Sequence, residues 1–199
     1  MQTNTSRLLA LFKRKHLVRP RDLDAANIPR NYLTRLVQRG KVQKLERGLY
    51  AASELPITEN ISLIQVMQRA PKAIICLLSA LRFHEIGTQS PHAVWIAIDV
   101  KAWAPHIKSP AVQVVRFSGD ALNFGIQERR IAGGTIRVFS PAKTVADCFK
   151  FRNKIGTDVA LEALRDAYRQ RKATMNELWD AAKVCRVANV MRPYLESLR

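Results

Sequence analysis

The chain has 199 residues, 47% of them apolar, enough for one large domain or two small ones with a real core. Its 33 Lys and Arg stand against 16 Asp and Glu, a formal net charge of +17, which favours a polyanionic partner, nucleic acid before an anionic membrane surface. Cys76, Cys148 and Cys185 are odd in number, far apart and set in apolar contexts, which excludes a disulfide framework and a CxxC metal pair. The opening stretch MQTNTSRLLALFKRK lacks the apolar core and cleavage site of a signal peptide, and the longest apolar run, Ala73 to Leu81, is too short to span a bilayer. The expectation is a cytoplasmic protein with no membrane partner. Residues 1–51 hold twelve basic residues against three acidic ones, so the cationic excess is concentrated at the N-terminal end.

Ser6 to Lys15 reads as a helix with Leu8, Leu11 and Phe12 as its buried stripe and Lys13, Arg14 and Lys15 at its end, where the helix dipole favours cations. His16 to Val18 reads as a short extended link. Pro20 opens a second short helix with Leu23 and Ala26 facing inward, and Asn27-Ile28 is the turn out of it. A third helix, PRNYLTRLVQRG, is expected from Pro29 at its first position to Gly40 just past its end. Leu33, Leu36 and Val37 make its apolar stripe. The opposite face carries Asn31, Arg35 and Gln38, flanked by Thr34 and Arg39, with no carboxylate among them. Arg can fork onto guanine, and Asn or Gln onto adenine, so this face suits a DNA groove. Arg30 and Arg39, near the helix ends, are placed to bind phosphates. After Gly40 the period changes: Val42 to Leu45 and Leu49 to Ala51 read as strands joined by Glu46-Arg47-Gly48, a hairpin with Lys44 and Arg47 near its tip. Helix, helix, polar-faced helix and basic hairpin, in that order, make a winged helix-turn-helix.

Residues 53–60 (SELPITEN) are polar and contain Pro56, a candidate linker between a first domain at 1–52 and a second at 61–199. The second is expected to be α+β, with a mixed or antiparallel sheet and C-terminal helices. A helix is expected at Ile61 to Arg69, then KAIICLLSALRFHEIG as a short buried element running into a helix that stops at Gly87. Strands follow at Val94 to Ile98 and Val112 to Phe117, with a hairpin of Ile126–Ile131 and Thr135–Phe139 around Ala132-Gly133-Gly134. Ser140-Pro141 starts a helix, AKTVADCFKFR, in which Asp147 needs a partner, an Arg or backbone N–H groups. Further helices are expected at DVALEALRDAY, after the capping box Thr174–Glu177, and at Asn189–Leu198 with Pro193 in its first turn. Arg165, Arg169, Arg171, Lys172, Lys183, Arg186 and Arg192 run through this region, as solvated helix faces or as a second surface for an acidic partner.

The stretch LVRPRDLDAANIPRNYLTRLVQRGKVQKLERGLYA resembles the N-terminal winged helix of the AbiEi-type antitoxins. LSALRFHEIG is similar to that family's S-ALxxHxIG helix, and SPAKTVADCFKFRNKIG with DVALEALRDAY to its S/TP-x-K/R-T-x-x-D…DVALEAL stretch, so the resemblance runs along most of the chain. It implies an antitoxin of a bacterial, type IV-like toxin–antitoxin system used in phage defence. Such a protein is a transcriptional repressor that binds double-stranded operator DNA, inverted repeats upstream of its own operon, and neutralises a nucleotidyltransferase-like toxin through its C-terminal domain.

No catalytic constellation stands out, and the expectation is a protein that is not an enzyme and carries no cofactor or metal. Asp99-Val100-Lys101, after the strand VWIAI, is half of a metal-dependent nuclease motif, with Glu85 the nearest second acid. It is the alternative reading, beside a non-specific basic nucleic-acid-binding module. His16, His84, His92 and His106 have no metal spacing, and His84 reads as a hydrogen-bonded, half-buried histidine. Trp95, Trp103 and Trp179 read as core residues.

Overall fold

The structure, a computed structural model, describes residues 3–15, 17–53, 60–131 and 134–198. The chain divides into two units, Met1–Ile61 with Arg130–Thr135, and Ser62–Arg129 with Ile136–Arg199. His16, linker residues 54–59 and the expected Ala132-Gly133 turn lie outside the described residues. Nothing in the sequence marked 130–135 as grouping with the first unit.

The first unit runs α1 (Asn4–Lys15), β1 (Leu17–Val18), α2 (Pro20–Ala25), α3 (Asn31–Gln38), β2 (Val42–Glu46) and β3 (Leu49–Ala52). α1 starts two residues before the expected Ser6, because Thr3 Oγ1 accepts the Ser6 N–H at 3.3 Å and supplies a cap. It buries Leu8, Leu11 and Phe12, the stripe its spacing predicts. These side chains meet Val18, Leu23, Ile28, Leu33, Leu36 and Val42 in one core, where each fully buried Leu, Ile or Phe contributes about 1.5–3 kcal/mol. The link after α1 becomes a strand at Leu17–Val18, since Leu17 pairs with Ala51 and Val18 with Tyr50. The sheet order is β1-β3-β2, antiparallel throughout. In the hairpin Lys44 lies opposite Tyr50 and Glu46 opposite Leu49, with the register shifting between Lys44 and Glu46. Gly48 turns the hairpin at φ +77°, a conformation that is costly for residues with a Cβ.

The second unit contains α4 (Ile61–Arg69, from its second residue on), β4 (Ile74–Ile75), α5 (Leu77–Phe83), β5 (Val94–Asp99), β6 (Val112–Phe117), α6 (Asp120–Asn123), and β7 (Ile126–Ile131, as far as Arg129) with β8 (Gly134–Phe139, from Ile136 on). Then come α7 (Pro141–Lys150), α8 (Arg152–Ile155), α9 (Thr157–Arg169), α10 (Met175–Val184) and α11 (Ala188–Glu196). Its sheet is mixed, in the order β6-β5-β4-β8-β7, with β5 parallel to β6, β4 antiparallel to β5 and β4 parallel to β8. α7 is the central helix: every residue from Ala142 to Phe149 is buried, so it has no solvent face. Ser140 accepts the Lys143 N–H at 3.3 Å and Pro141 follows at the first turn, the start its sequence predicts. α10 carries the Thr174–Glu177 capping box, with the Thr174 N–H donating to the Glu177 carboxylate at 2.7 Å.

Pro193 sits inside α11 rather than in its first turn. Its missing N–H leaves the Asn189 carbonyl without a helical donor, and both residues are exposed, so water can take that place while Met191 and Leu195 anchor the buried side. The end of α5 meets β8 and the α9 helix. His84 Nε2 donates to the Phe139 carbonyl at 2.7 Å, which fixes the tautomer. The Gly87 N–H donates to Asp166 at 3.0 Å, the Thr88 N–H to Glu162 at 3.1 Å, and Lys172 Nζ to the His84 and Glu85 carbonyls that end α5.

Candidate nucleic-acid interface

Two helix ends set the geometry between α2 and α3. Asp22, in the first turn of α2, accepts the Arg19 N–H at 2.8 Å and Lys15 Nζ at 2.5 Å, tying the end of α1 to the start of α2. At the other end of α2, Asn27 adopts φ +52°. The Ile28 N–H then reaches the Leu23 carbonyl at 2.9 Å and the Asn27 N–H the Asp24 carbonyl at 3.1 Å, the paired bonds of a left-handed helix stop. Leu23 and Ile28 close that stop by packing into the same core. Arg7 Nη2 donates to the Ala26 carbonyl at 2.7 Å, adding a cation to the C-terminal end of α2.

The α3 helix is shorter than its sequence pattern suggests. It begins at Asn31, and Pro29 precedes it, its carbonyl accepting the Tyr32 N–H at 3.2 Å. Pro29 is therefore not the first helical residue; Arg30 takes the cap position with helical dihedrals. The far end follows expectation: Gly40 lies at φ +67°, its N–H meets the Val37 carbonyl, and the Lys41 N–H meets that of Leu36, both at 3.0 Å. Leu33 and Leu36 are buried and hold the helix against the core. Asn31, Thr34, Arg35, Gln38 and Arg39 are all exposed, as are Lys44 on β2 and Arg47 in the hairpin turn.

Two side chains on this surface have neighbours the sequence did not signal. Arg30 forms a two-pronged ion pair with Asp24, at 3.0 and 2.5 Å, across the turn between α2 and α3. That bond holds the Asp24 carboxyl below its usual value and raises the Arg30 guanidinium. A phosphate at Arg30 must therefore compete with Asp24. No fixed spacing announces a pair six residues apart across a turn. Arg35 lies 5.5 Å from the centre of the Tyr32 ring, one turn earlier, a placement that restrains the guanidinium and depends on the rotamers of both residues.

The residues of the alternative nuclease reading are engaged differently. Asp99 Oδ1 accepts the Lys101 N–H at 2.7 Å, a local turn. Glu85 ends α5 at φ +54° and lies 3.8 Å from Lys172. Among the described residues no group of three or more His, Cys, Asp or Glu is placed to hold a metal ion. Asp147 is fully buried, and its partner is Lys143, one turn earlier on α7, at 2.6 and 2.5 Å, rather than an arginine or backbone N–H groups. The reason is geometric: an i, i+4 lysine on the same buried helix reaches the carboxylate directly. Lys143 Nζ also lies 4.0 Å from the centre of Phe139 and 4.7 Å from that of Phe117. The Cys185 thiol donates to Asp147 at 3.3 Å. All three cysteines are free and buried. Burial pushes each thiol up, Cys185 to about 12, so they stay protonated and inert. His84 is half-buried, as expected, and burial lowers its pKa, so it is neutral near pH 7. Trp103 is not a core residue: it is 96% exposed, whereas Trp95 and Trp179 are half-buried. Among the described residues no helix is long and apolar enough to cross a membrane.

Residues 6–53 match the family described as "Transcriptional regulator, AbiEi antitoxin", which bears out the resemblance over that stretch. The match ends one residue after β3, and the second unit lies outside it. Among solved structures the chain is similar to the RV2827C protein from Mycobacterium tuberculosis, with a TM-score of 0.63 over 98% of this chain and 78% of that one, at 16% identity. That likeness is one of fold. No curated protein matches the chain in sequence.

Proposed function

We propose that the first unit is a winged helix-turn-helix that binds double-stranded DNA, with α3 in the major groove and the β2–β3 hairpin as the wing. The observation that carries this reading is the α3 surface: five exposed polar or cationic side chains, none of them a carboxylate, on a helix whose other face is anchored by Leu33 and Leu36. The family match over the same residues supports it. In this reading Asn31, Thr34, Arg35 and Gln38 meet base edges and the groove wall, Arg30 and Arg39 bind phosphates, and Lys44 and Arg47 anchor the wing. The protein is then a cytoplasmic, non-enzymatic antitoxin that represses its own operon and neutralises a nucleotidyltransferase-like toxin through the second unit.

The test is binding to DNA from just upstream of the coding sequence, in two variants of opposite type. Arg35→Ala should cost about 1–3 kcal/mol and relax specificity. Lys44→Ala should weaken all duplexes alike and flatten the salt dependence by about one unit. Unchanged affinity in both would rule out this face.

A further inference from the structure

We propose that the turn after β5 and the cavity beside it form a docking site for a partner protein that presents an acidic segment with an apolar anchor side chain. Trp103 and Val100 are 96% and 50% exposed, and with Tyr194 they are the large apolar side chains left exposed among the described residues. Two of these three fall on one turn. A tryptophan left in water is a common anchor of protein interfaces.

The turn is built rather than loose. Asp99 Oδ1 accepts the Lys101 N–H at 2.7 Å, and the Ala102 N–H returns to the Asp99 carbonyl at 3.0 Å. From the neighbouring strand β6, Arg116 donates to the carbonyls of Val100 and Ala102 at 3.0 and 2.7 Å. These bonds hold the segment that presents Trp103, so a partner that covers the ring has little chain to order.

Beside the turn lies a cavity of about 530 Å³ lined by Ile74, Ile98 and Leu122, with Trp103, Lys72 and Arg137 also on its wall. The volume suits one or two apolar side chains. A small molecule held within the cavity would meet the indole from the wall side alone and would leave Val100, which does not line the cavity, in water. A protein segment lying across the mouth covers both. The charge of that segment follows from its surroundings: Lys72 on the cavity wall and Lys101 on the turn are both exposed, and Asp99, the acid lining the cavity, already receives the Lys101 N–H. The same argument disfavours a second copy of this chain, whose net charge is +17. A DNA duplex matches the charge but presents no apolar knob for an aliphatic cavity.

The probe is a short synthetic peptide with one leucine and one phenylalanine among glutamates, titrated into the full chain while the Trp103 indole N–H is followed by NMR, that signal being assigned by its loss in Trp103→Ala. Two control peptides replace the glutamates by lysines, or the two apolar residues by serines. The expected result is saturable movement of the Trp103 signal with the acidic apolar peptide alone, and affinity at least about tenfold weaker in Trp103→Ala, where parent and variant are compared through the backbone amide signals of Val100 and Lys101. Lys72→Glu with Lys101→Glu, both exposed and safe for folding, should transfer the preference to the lysine peptide. The proposal is overturned by no movement up to about 1 mM peptide, by affinity unchanged in Trp103→Ala, or by random-sequence duplex moving the same signal when the peptide does not displace it.

Discussion

Lys143 and Asp147 lie one turn apart on α7. Both side chains are fully buried, and each is the other's main compensation for lost water. Burial pushes the Asp147 carboxyl up, while Lys143 and the Cys185 thiol pull it back. Lys143→Met removes the cation and leaves a carboxyl buried without its partner, which should cost about 3–5 kcal/mol; adding Asp147→Leu should recover most of it. The second unit holds all three tryptophans, so urea unfolding followed by their fluorescence reads this loss directly. A single variant as stable as the parent would mean that the pair does not matter to the core. Asp22 is the matching residue in the first unit. Partial burial pushes its carboxyl up, but Lys15 and the Arg19 N–H outweigh this and hold it below the ordinary range. Its folded value is therefore lower than its unfolded one. The stability it supplies is complete above the unfolded value, near about pH 4, and is lost as pH falls through the folded value. Lys15→Met should make acid unfolding of the first unit, followed by the NMR signals of α1 and α2, begin at higher pH. Superimposable acid limbs would show that the Lys15 bond contributes nothing.

At the scale of elements, the helix ends explain much of the layout. α5, α9 and α10 each stop on a residue in the left-handed region that is not glycine, Glu85, Arg171 and Arg186, as α2 stops on Asn27. Each stop places the next N–H on the carbonyl five residues back, for α10 that of Val187 on Ala182 at 2.9 Å. A Cβ in this region costs about 1–2 kcal/mol, and glycine loses about 0.5–1 kcal/mol of that advantage to its freer unfolded chain. Arg186→Gly, exposed on the surface, should therefore raise stability by about 0.5–1 kcal/mol in the same urea experiment; a loss would mean that the arginine side chain holds the stop. These stops also mark the limit of reading elements from sequence. Gly40 and Gly48 announce their turns, since glycine is the cheap residue there, whereas Glu85, Arg171 and Arg186 carry no such signal. Buried stripes such as Leu8-Leu11-Phe12 were legible because periodicity records which face meets the core. α7 was legible by its Ser-Pro start, but not by its pairing, since a helix buried all round has no polar face to read.

For the whole molecule, the α+β class follows from strand and helix patterns, which leave a mixed or an antiparallel sheet open and do not give the sheet order. β4 joins β5 on one side and β8 on the other, although β8 lies more than fifty residues downstream, and no local pattern encodes a partner at that distance. The candidate interface was legible in kind: exposed polar residues of α3 and a basic hairpin, on a core built from the helices before them. Its internal constraints, Asp24 on Arg30 and Tyr32 under Arg35, depend on the path of a turn and on rotamers, which sequence does not give. Nor did it give the exposure of Trp103, since an aromatic among apolar neighbours reads as core until the loop's course is known. Sequence-specific DNA binding is decided by a gel shift with DNA from just upstream of the coding sequence, run at two salt concentrations against excess unrelated duplex. The upstream fragment should stay bound against competitor and weaken steeply with salt, and Arg35→Ala should relax the discrimination. Equal displacement by any duplex would contradict it and leave only the general attraction of a chain with net charge +17 for polyanions.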